Sequence, residues 1–446
     1  MSEQKRMAVA GGKPTSMRWF LVSIIFVACL IAYLDRVNLS ICAPLIMEEM
    51  GLSKVELSFA MSIFFISYAL MQIPGSMLIE KFGTRVIGAV AMTWWSVFTL
   101  LTPLAGGLYS FLAVRFLFGV GEGPLFPNNT SFISKWFNSK ESGFSSSLMM
   151  TGTFLGPALG PPITVFIISI SSWHWVFYAY GILGIMAAIL WYAYSRNTPH
   201  EHRGVNEAEL AVITGDKEAA FKKTAPQQKT PWRGFIRQPR FWCFGLQYFC
   251  ANYIMYLFLS WIPLYLLEAR GMSFTAMGGA AAMPWVCIAV VMLLCGYFGG
   301  KLIVRGVSRF ASRALPGMIG MGICGVCLFM AVGASSAFEN VVWLSISLGA
   351  LGANYIASWA GCQDLGAQFG GSVAAWMNTF GTIGGVCAPI ATAVLVELAG
   401  WDGALHCASV VILMGIVCLA FVKLDRPLIR DIDDYKPELL GEAVHA

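Results

Sequence analysis

The chain alternates long apolar blocks with short polar ones. Twelve blocks approach the roughly 20 residues needed to cross a bilayer core. They are Trp19–Ala43, Leu57–Ile79, Val86–Leu104, Leu108–Phe126, Phe144–Ile170, Trp175–Tyr194, Phe241–Leu267, Phe274–Phe298, Leu315–Val332, Val341–Ala360, Val373–Leu395 and Leu405–Leu424. The first is long enough to tilt or to project from the membrane. One polar stretch, 196–240, divides the blocks six and six. The pattern predicts an all-α integral membrane protein with twelve transmembrane helices. Residues 1–195 form an N-terminal six-helix bundle, and 196–240 a cytoplasmic linker with one short amphipathic helix near Asn206–Thr214. Residues 241–446 form a C-terminal six-helix bundle and a cytoplasmic tail.

Composition agrees. The 446 residues are 57% hydrophobic and 12% charged, against about 25% charged in soluble domains, and the mean hydropathy is +0.68. Of 29 Lys and Arg, 25 fall on one side if the N-terminus is cytoplasmic. Lys54 and Arg270 fall outside, and Arg36 and Arg115 within spans. This bias places both termini in the cytoplasm of a cell inner (plasma) membrane protein. The net charge of +5 orients the chain and does not signal nucleic acid. The N-terminus lacks a small-residue cleavage site, so the first span reads as a retained helix. The twelve cysteines are scattered; Cys324 and Cys327 have no partners to complete a zinc site. No phosphate-binding glycine loop follows a strand, so neither nucleotide nor cofactor is expected. An enzyme would need a nucleophile–base pair or a metal cluster at depth, and none is present.

Four ionisable residues sit inside spans: Asp35 and Arg36 in AYLDRVNLS, and Arg115 and Glu122 in RFLFGVGEGPLFPNN. Each costs about 2.5–3.5 kcal/mol at a helix centre on insertion scales, so each faces inward, pairs, or lines a watery path. Asp35 and Arg36 are adjacent and cannot face each other on a helix. Arg115 and Glu122 share a face two turns apart, too far for a direct bridge. Arginine can bond both oxygens of a carboxylate. An acid nearby can exchange a proton, and an anion binding the arginine changes that acid's proton affinity. The competing reading is an ion-pair network between the first and fourth spans. A third element, QIPGSMLIEKFGTR, places Glu80, Lys81, Gly83 and Arg85 in a tight cytoplasmic turn, either a gating latch or a plain positive-inside turn. The seventh span presents Asn252, Tyr253, Tyr256 and Ser260, with 252/256 and 256/260 spaced i,i+4, and the eleventh presents Asn378 and Thr382 at the same spacing. They either line a cavity or bond helices together. His174, between Trp173 and Trp175, reads as an interfacial belt residue. Two six-helix halves around a charged midplane suit a carrier.

At these blocks the chain resembles the major facilitator superfamily, in particular its anion:cation symporter family and the bacterial galactonate- and glucarate-type members. YLDRVNLS, QIPGSMLIEKFGTR, RFLFGVGEGPLFPNN and SWHWVF carry the resemblance. It implies proton coupling at Asp35 and Glu122, with substrate binding and charge balance at Arg36 and Arg115. Tyr33 and Tyr68 would line the cavity, Gln247 and Asn378 would be polar sugar-acid ligands, and Glu80, Lys81, Gly83 and Arg85 would gate. Thr153 stands where galactonate-type members have glutamine, Ser76 where glycine is usual, and Gly300 where an acid is common. The expected activity is proton-coupled import of a small organic anion, led by sugar acids, by a functional monomer. The alternatives are an anion exchanger, or a symporter of aromatic, dicarboxylic or sulfonated acids.

Overall fold

The computed structural model describes residues 13–138, 141–214, 230–366, 369–422, 424, 427 and 428. The helices relevant to the site are α1 (Met17–Met50), α2 (Lys54–Leu101), α3 (Leu108–Glu122), α4 (Leu125–Trp136), α5 (Ser142–Ile170), α6 (Trp173–Tyr194) and α7 (Glu207–Thr214). After the linker come α8 (Trp232–Ile236), α9 (Pro239–Ser260), α10 (Ile262–Glu268), α11 (Phe274–Val304), α12 (Leu315–Val332), α13 (Ala337–Gly366) and α14 (Gly370–Val422). Among the described residues, eight helices are long and apolar enough to cross a membrane, or nine if the bent pair α9–α10 is one span.

The described residues of the twelve expected blocks are helical apart from short breaks, and the smaller number of helices has physical causes. A straight helix of 48 residues would run about 70 Å, more than twice a bilayer core. α2 instead breaks at Gly83, whose φ of 84° only glycine adopts readily. A Cβ there would also collide with the Asn197 side chain. Its two limbs return to the same neighbour: Gly119 of α3 meets Phe64, and Gly121 meets Trp94 and Trp95. α14 breaks likewise at Gly400 (φ 70°). The fourth block is two helices, because Pro124 has no N–H to continue the ladder of α3. The seventh bends by 53° between α9 and α10. The amphipathic helix expected near Asn206–Thr214 is α7.

The chain forms two compact units. The first comprises 1–227, 256–286 and 386–401; the second comprises 228–255, 287–385 and 402–446. Within the first, Ser62 donates to the Val386 carbonyl, the Trp261 indole to the Pro389 carbonyl, and Lys54 pairs with Glu268 at 2.8 Å. His174 lies 3.2 Å from Glu49, which also accepts from the Trp173 indole. In the second unit, Arg309 and Arg313 both pair with Asp364.

The polar linker reaches back into the first unit. Ser16, at the N-cap of α1, makes no side-chain cap. Glu209 of α7 replaces it, accepting from the backbone N–H groups of Met17 and Arg18 and from the Arg18 guanidinium at 2.8 Å. Arg18 also forks onto Glu141, at 2.9 and 3.1 Å. Glu209 is fully buried, whereas the Glu141 side chain is 26% exposed. Glu209→Ala leaves two helix N–H groups uncapped and a buried cation short of a partner, a loss on the order of 3 kcal/mol. Glu141→Ala costs about 1 kcal/mol or less. Thermal unfolding of the detergent-solubilised protein should show that order; equal losses would contradict it.

Candidate functional site

The site grows from α1 and α3. Successive helix residues point about 100° apart, so Asp35 and Arg36 diverge. Arg36 turns toward α3, where its Nε donates to Glu122 Oε1 at 2.7 Å and its Nη2 lies 2.6 Å from the same oxygen. Glu122 reaches that position because α3 packs tightly on α2. A Cβ at Gly119 would overlap Ser67, and one at Gly123 would lie 2.9 Å from the Tyr68 carbonyl; glycines at both allow the close approach. The Arg36 guanidinium sits among three rings, with centroids 4.5 Å (Tyr33), 4.9 Å (Tyr68) and 5.1 Å (Phe64) away. Tyr68 and Tyr256 turn their hydroxyls toward it. A planar, weakly hydrated cation suits such a cage.

Arg115 is in a different state. It is buried over Phe118 (4.6 Å) and Phe64 (5.3 Å), yet no carboxylate among the described residues lies within ion-pair distance and its Nε has no hydrogen-bond partner. Asp35 is equally buried. Neither of its oxygens has a hydrogen-bond partner among the described residues. It faces Thr99, whose hydroxyl donates instead to the Trp95 carbonyl. Of four ionisable groups in low dielectric, two are bonded to each other and two have no direct counter-ion among the described residues.

Both guanidinium groups open onto one small cavity. Leu39, Met61, Phe64, Phe65 and Leu259 form its apolar walls, and Ser40 and Ser260 its remaining polar lining. Asp35 is not part of that lining. The arginines thus face the cavity, and one acid stands behind each helix surface: Glu122 against Arg36, Asp35 toward the second limb of α2.

The other expected residues are placed as follows. Gln247 is fully buried in the second unit, its Nε2 donating to Ser358 and its Oε1 accepting from Asn354. Asn252 is held by the Tyr248 carbonyl and the Tyr355 hydroxyl. Asn378 is half-buried on α14, and its carbonyl accepts from Thr382. Thr153 is buried, its hydroxyl donating to the Met150 carbonyl. At the Gly83 turn, Arg85 Nε donates to the Tyr192 carbonyl, its backbone N–H donates to Asn197, and its guanidinium lies 4.5 Å from the Tyr192 ring. Glu80 and Lys81 are exposed. The sequence reading missed Ser40 and Phe64. Ser40 was detectable, lying one turn beyond Arg36 on the same face. Phe64 was one apolar residue among many. No group of three or more His, Cys, Asp or Glu that could hold a metal occurs among the described residues.

The chain is similar to known proteins in sequence and in fold. The family model described as Major Facilitator Superfamily matches residues 25–389. The chain is 31% identical over 413 residues to a probable galactarate/D-glucarate transporter of Bacillus subtilis (strain 168), covering 88% of this chain and 89% of that one. It is 30% identical to the D-galactonate transporter of Escherichia coli O6:H1, covering 91% and 96%. It is also 30% identical to a probable sulfoacetate transporter of Cupriavidus necator, covering 96% and 98%. Among solved structures, a bacterial homolog of the human lysosomal transporter Spinster, inward-facing and occupied, superposes with a TM-score of 0.75 at 17% identity, over 93% of this chain and 98% of that one. Its likeness establishes the fold. The chain is therefore a multi-pass membrane transporter of organic anions, not an enzyme, and it belongs to the Major Facilitator Superfamily.

Proposed function

We propose that the protein imports a small organic anion together with protons, by alternating access across the cell inner membrane. One observation carries this reading: the two arginines at one cavity differ in pairing. Arg36 is neutralised by Glu122, while Arg115 has no direct counter-ion among the described residues. An entering oxyanion is drawn to Arg115 and competes with Glu122 for Arg36. Glu122, displaced but still buried, takes a proton instead of remaining an unpaired anion. Asp35 is the second proton site, reached from the other side of α1. With both acids neutral, the two arginines exceed a bound monoanion by one positive charge, so the loaded carrier reorients with the membrane potential. The relatives' substrates, among them galactonate, glucarate and sulfoacetate by name, share an anionic oxygen head with this reading. Two protons per monoanion would carry a net +1, about 2.3 kcal/mol at ~100 mV.

In this scheme residues 1–195 and 241–446 act as the two moving bundles of a functional monomer, with both termini cytoplasmic. The turn of Glu80, Lys81, Gly83 and Arg85 is the cytoplasmic gate.

Two experiments test the reading. In proteoliposomes, Glu122→Gln should abolish accumulation driven by a pH gradient yet retain anion counterflow. Accumulation surviving in that variant would remove Glu122 from coupling. Wild-type counterflow with no response to uncouplers or to pH would favour an anion exchanger, which needs the arginines but no proton. The second is a stability cycle. Arg36→Ala leaves Glu122 buried and unpaired and should cost about 3–5 kcal/mol. Adding Glu122→Ala should recover at least about half of that loss. Additive losses in thermal unfolding would mean the pair is not a coupled unit.

A further inference from the structure

The walls of the cavity speak to which anions it takes. Arg36 and Arg115 supply charge, and Ser40 and Ser260 supply the only other polar side chains of the lining. The remaining surface is Leu39, Met61, Leu259 and the rings of Phe64 and Phe65. A six-carbon polyhydroxylated acid brings a hydroxyl on nearly every carbon, and each buried hydroxyl needs a partner. Apart from Arg115 and Ser260, the polar groups of this lining are engaged: Ser40 donates to the Val37 carbonyl at 2.9 Å, and Arg36 is bonded to Glu122.

What the cavity does offer is a head-group subsite. Arg115 Nε is buried without a partner, and Ser260, 5% exposed, opens onto the same space. Ser260 ends α9, next to the 53° bend into α10. Ser260 therefore lines the cavity at the bend itself. A guanidinium fork and a hydroxyl together suit three-oxygen or two-oxygen anions equally: a sulfonate or a carboxylate.

We infer that Ser260 acts with Arg115 as a specificity-determining residue for a compact oxyanion, a carboxylate or sulfonate on a short carbon body with few or no hydroxyl groups. The inference rests on the anion-transport reading and narrows its substrate class. Sugar acids are then poor ligands of this chain, although several relatives carry them by name.

Titration calorimetry on the purified full-length protein tests it, with malonate, sulfoacetate, galactonate and glucarate as probes. Malonate and sulfoacetate differ only in one carboxylate replaced by a sulfonate, so the tighter of the two identifies the preferred head. That one should bind at least about tenfold more tightly than either sugar acid, and Ser260→Ala should weaken it by about tenfold or more, as expected for losing a hydrogen bond to a charged group. Ser260→Thr, which keeps the hydroxyl, should restore most of the affinity, while the sugar-acid affinities stay unchanged. Ser40→Ala is the control on the same wall: its hydroxyl is committed to the Val37 carbonyl, so the short-anion affinity should stay within about twofold. Sugar acids binding as tightly as the short anions, or short-anion affinity indifferent to Ser260→Ala, would overturn the inference. A short anion that binds with this serine dependence but never enters wild-type proteoliposomes would sink the transport reading and leave the subsite standing.

Discussion

The bond between Arg36 and Glu122 is the interaction on which the rest of the site depends. It removes one positive and one negative charge from a low-dielectric interior at a separation of 2.6–2.7 Å. Such a pair is costly to bury and more costly to break by deleting one partner. A ligand that replaces one partner keeps the cation satisfied, and the displaced acid keeps its solvation cost low by taking a proton. The aromatic cage of Tyr33, Tyr68 and Phe64 holds the guanidinium in place during such a swap, because those contacts do not depend on which anion is bound. Arg115 and Asp35, left without direct partners, are the groups whose energy an arriving anion or proton changes most.

Backbone features set this geometry. Gly119 and Gly123 let α3 lie against α2, and Pro124 ends the regular ladder just past Glu122. α3 therefore delivers its carboxylate at a helix end, where local adjustment is less costly than in mid-helix. The Gly83 turn joins the two limbs of α2, and the second limb faces Asp35 with Thr99. Away from the site, Glu209 anchors the linker helix to the start of α1. The helix that carries both Asp35 and Arg36 is thus fixed at its end by a residue more than 170 positions away.

Much of this was legible in the sequence. Unbroken apolar runs show spans, and four charges inside them mark a candidate site whatever the tertiary structure. The divergence of Asp35 and Arg36 follows from helix geometry alone. What could not be read is which arginine is paired. Arg36 and Arg115 have the same chemistry in similar surroundings, and the choice depends on how close α3 comes to α1. The α9–α10 bend was also hidden, since Pro263 is compatible with a continuing span, and with it the position of Ser260. The role of Glu209 was hidden for another reason: a glutamate in a charged linker looks solvated until the linker is seen to fold back. The partners of Gln247 could not be read either, because a glutamine's partners are set by helix packing. Here both ends of its amide are used by α13.

The central claim is that an anion displaces Glu122 from Arg36 and that the displaced acid takes up a proton. Proton uptake on anion binding, followed with a pH indicator in weakly buffered detergent solution, tests this without any transport step. Linkage requires that an anion which drives protonation be bound more tightly at lower pH. The account predicts about one proton taken up per anion bound, lost in Glu122→Gln. Anion binding with no proton uptake, or uptake that persists unchanged in Glu122→Gln, would contradict it and reduce the Arg36–Glu122 bond to a structural brace.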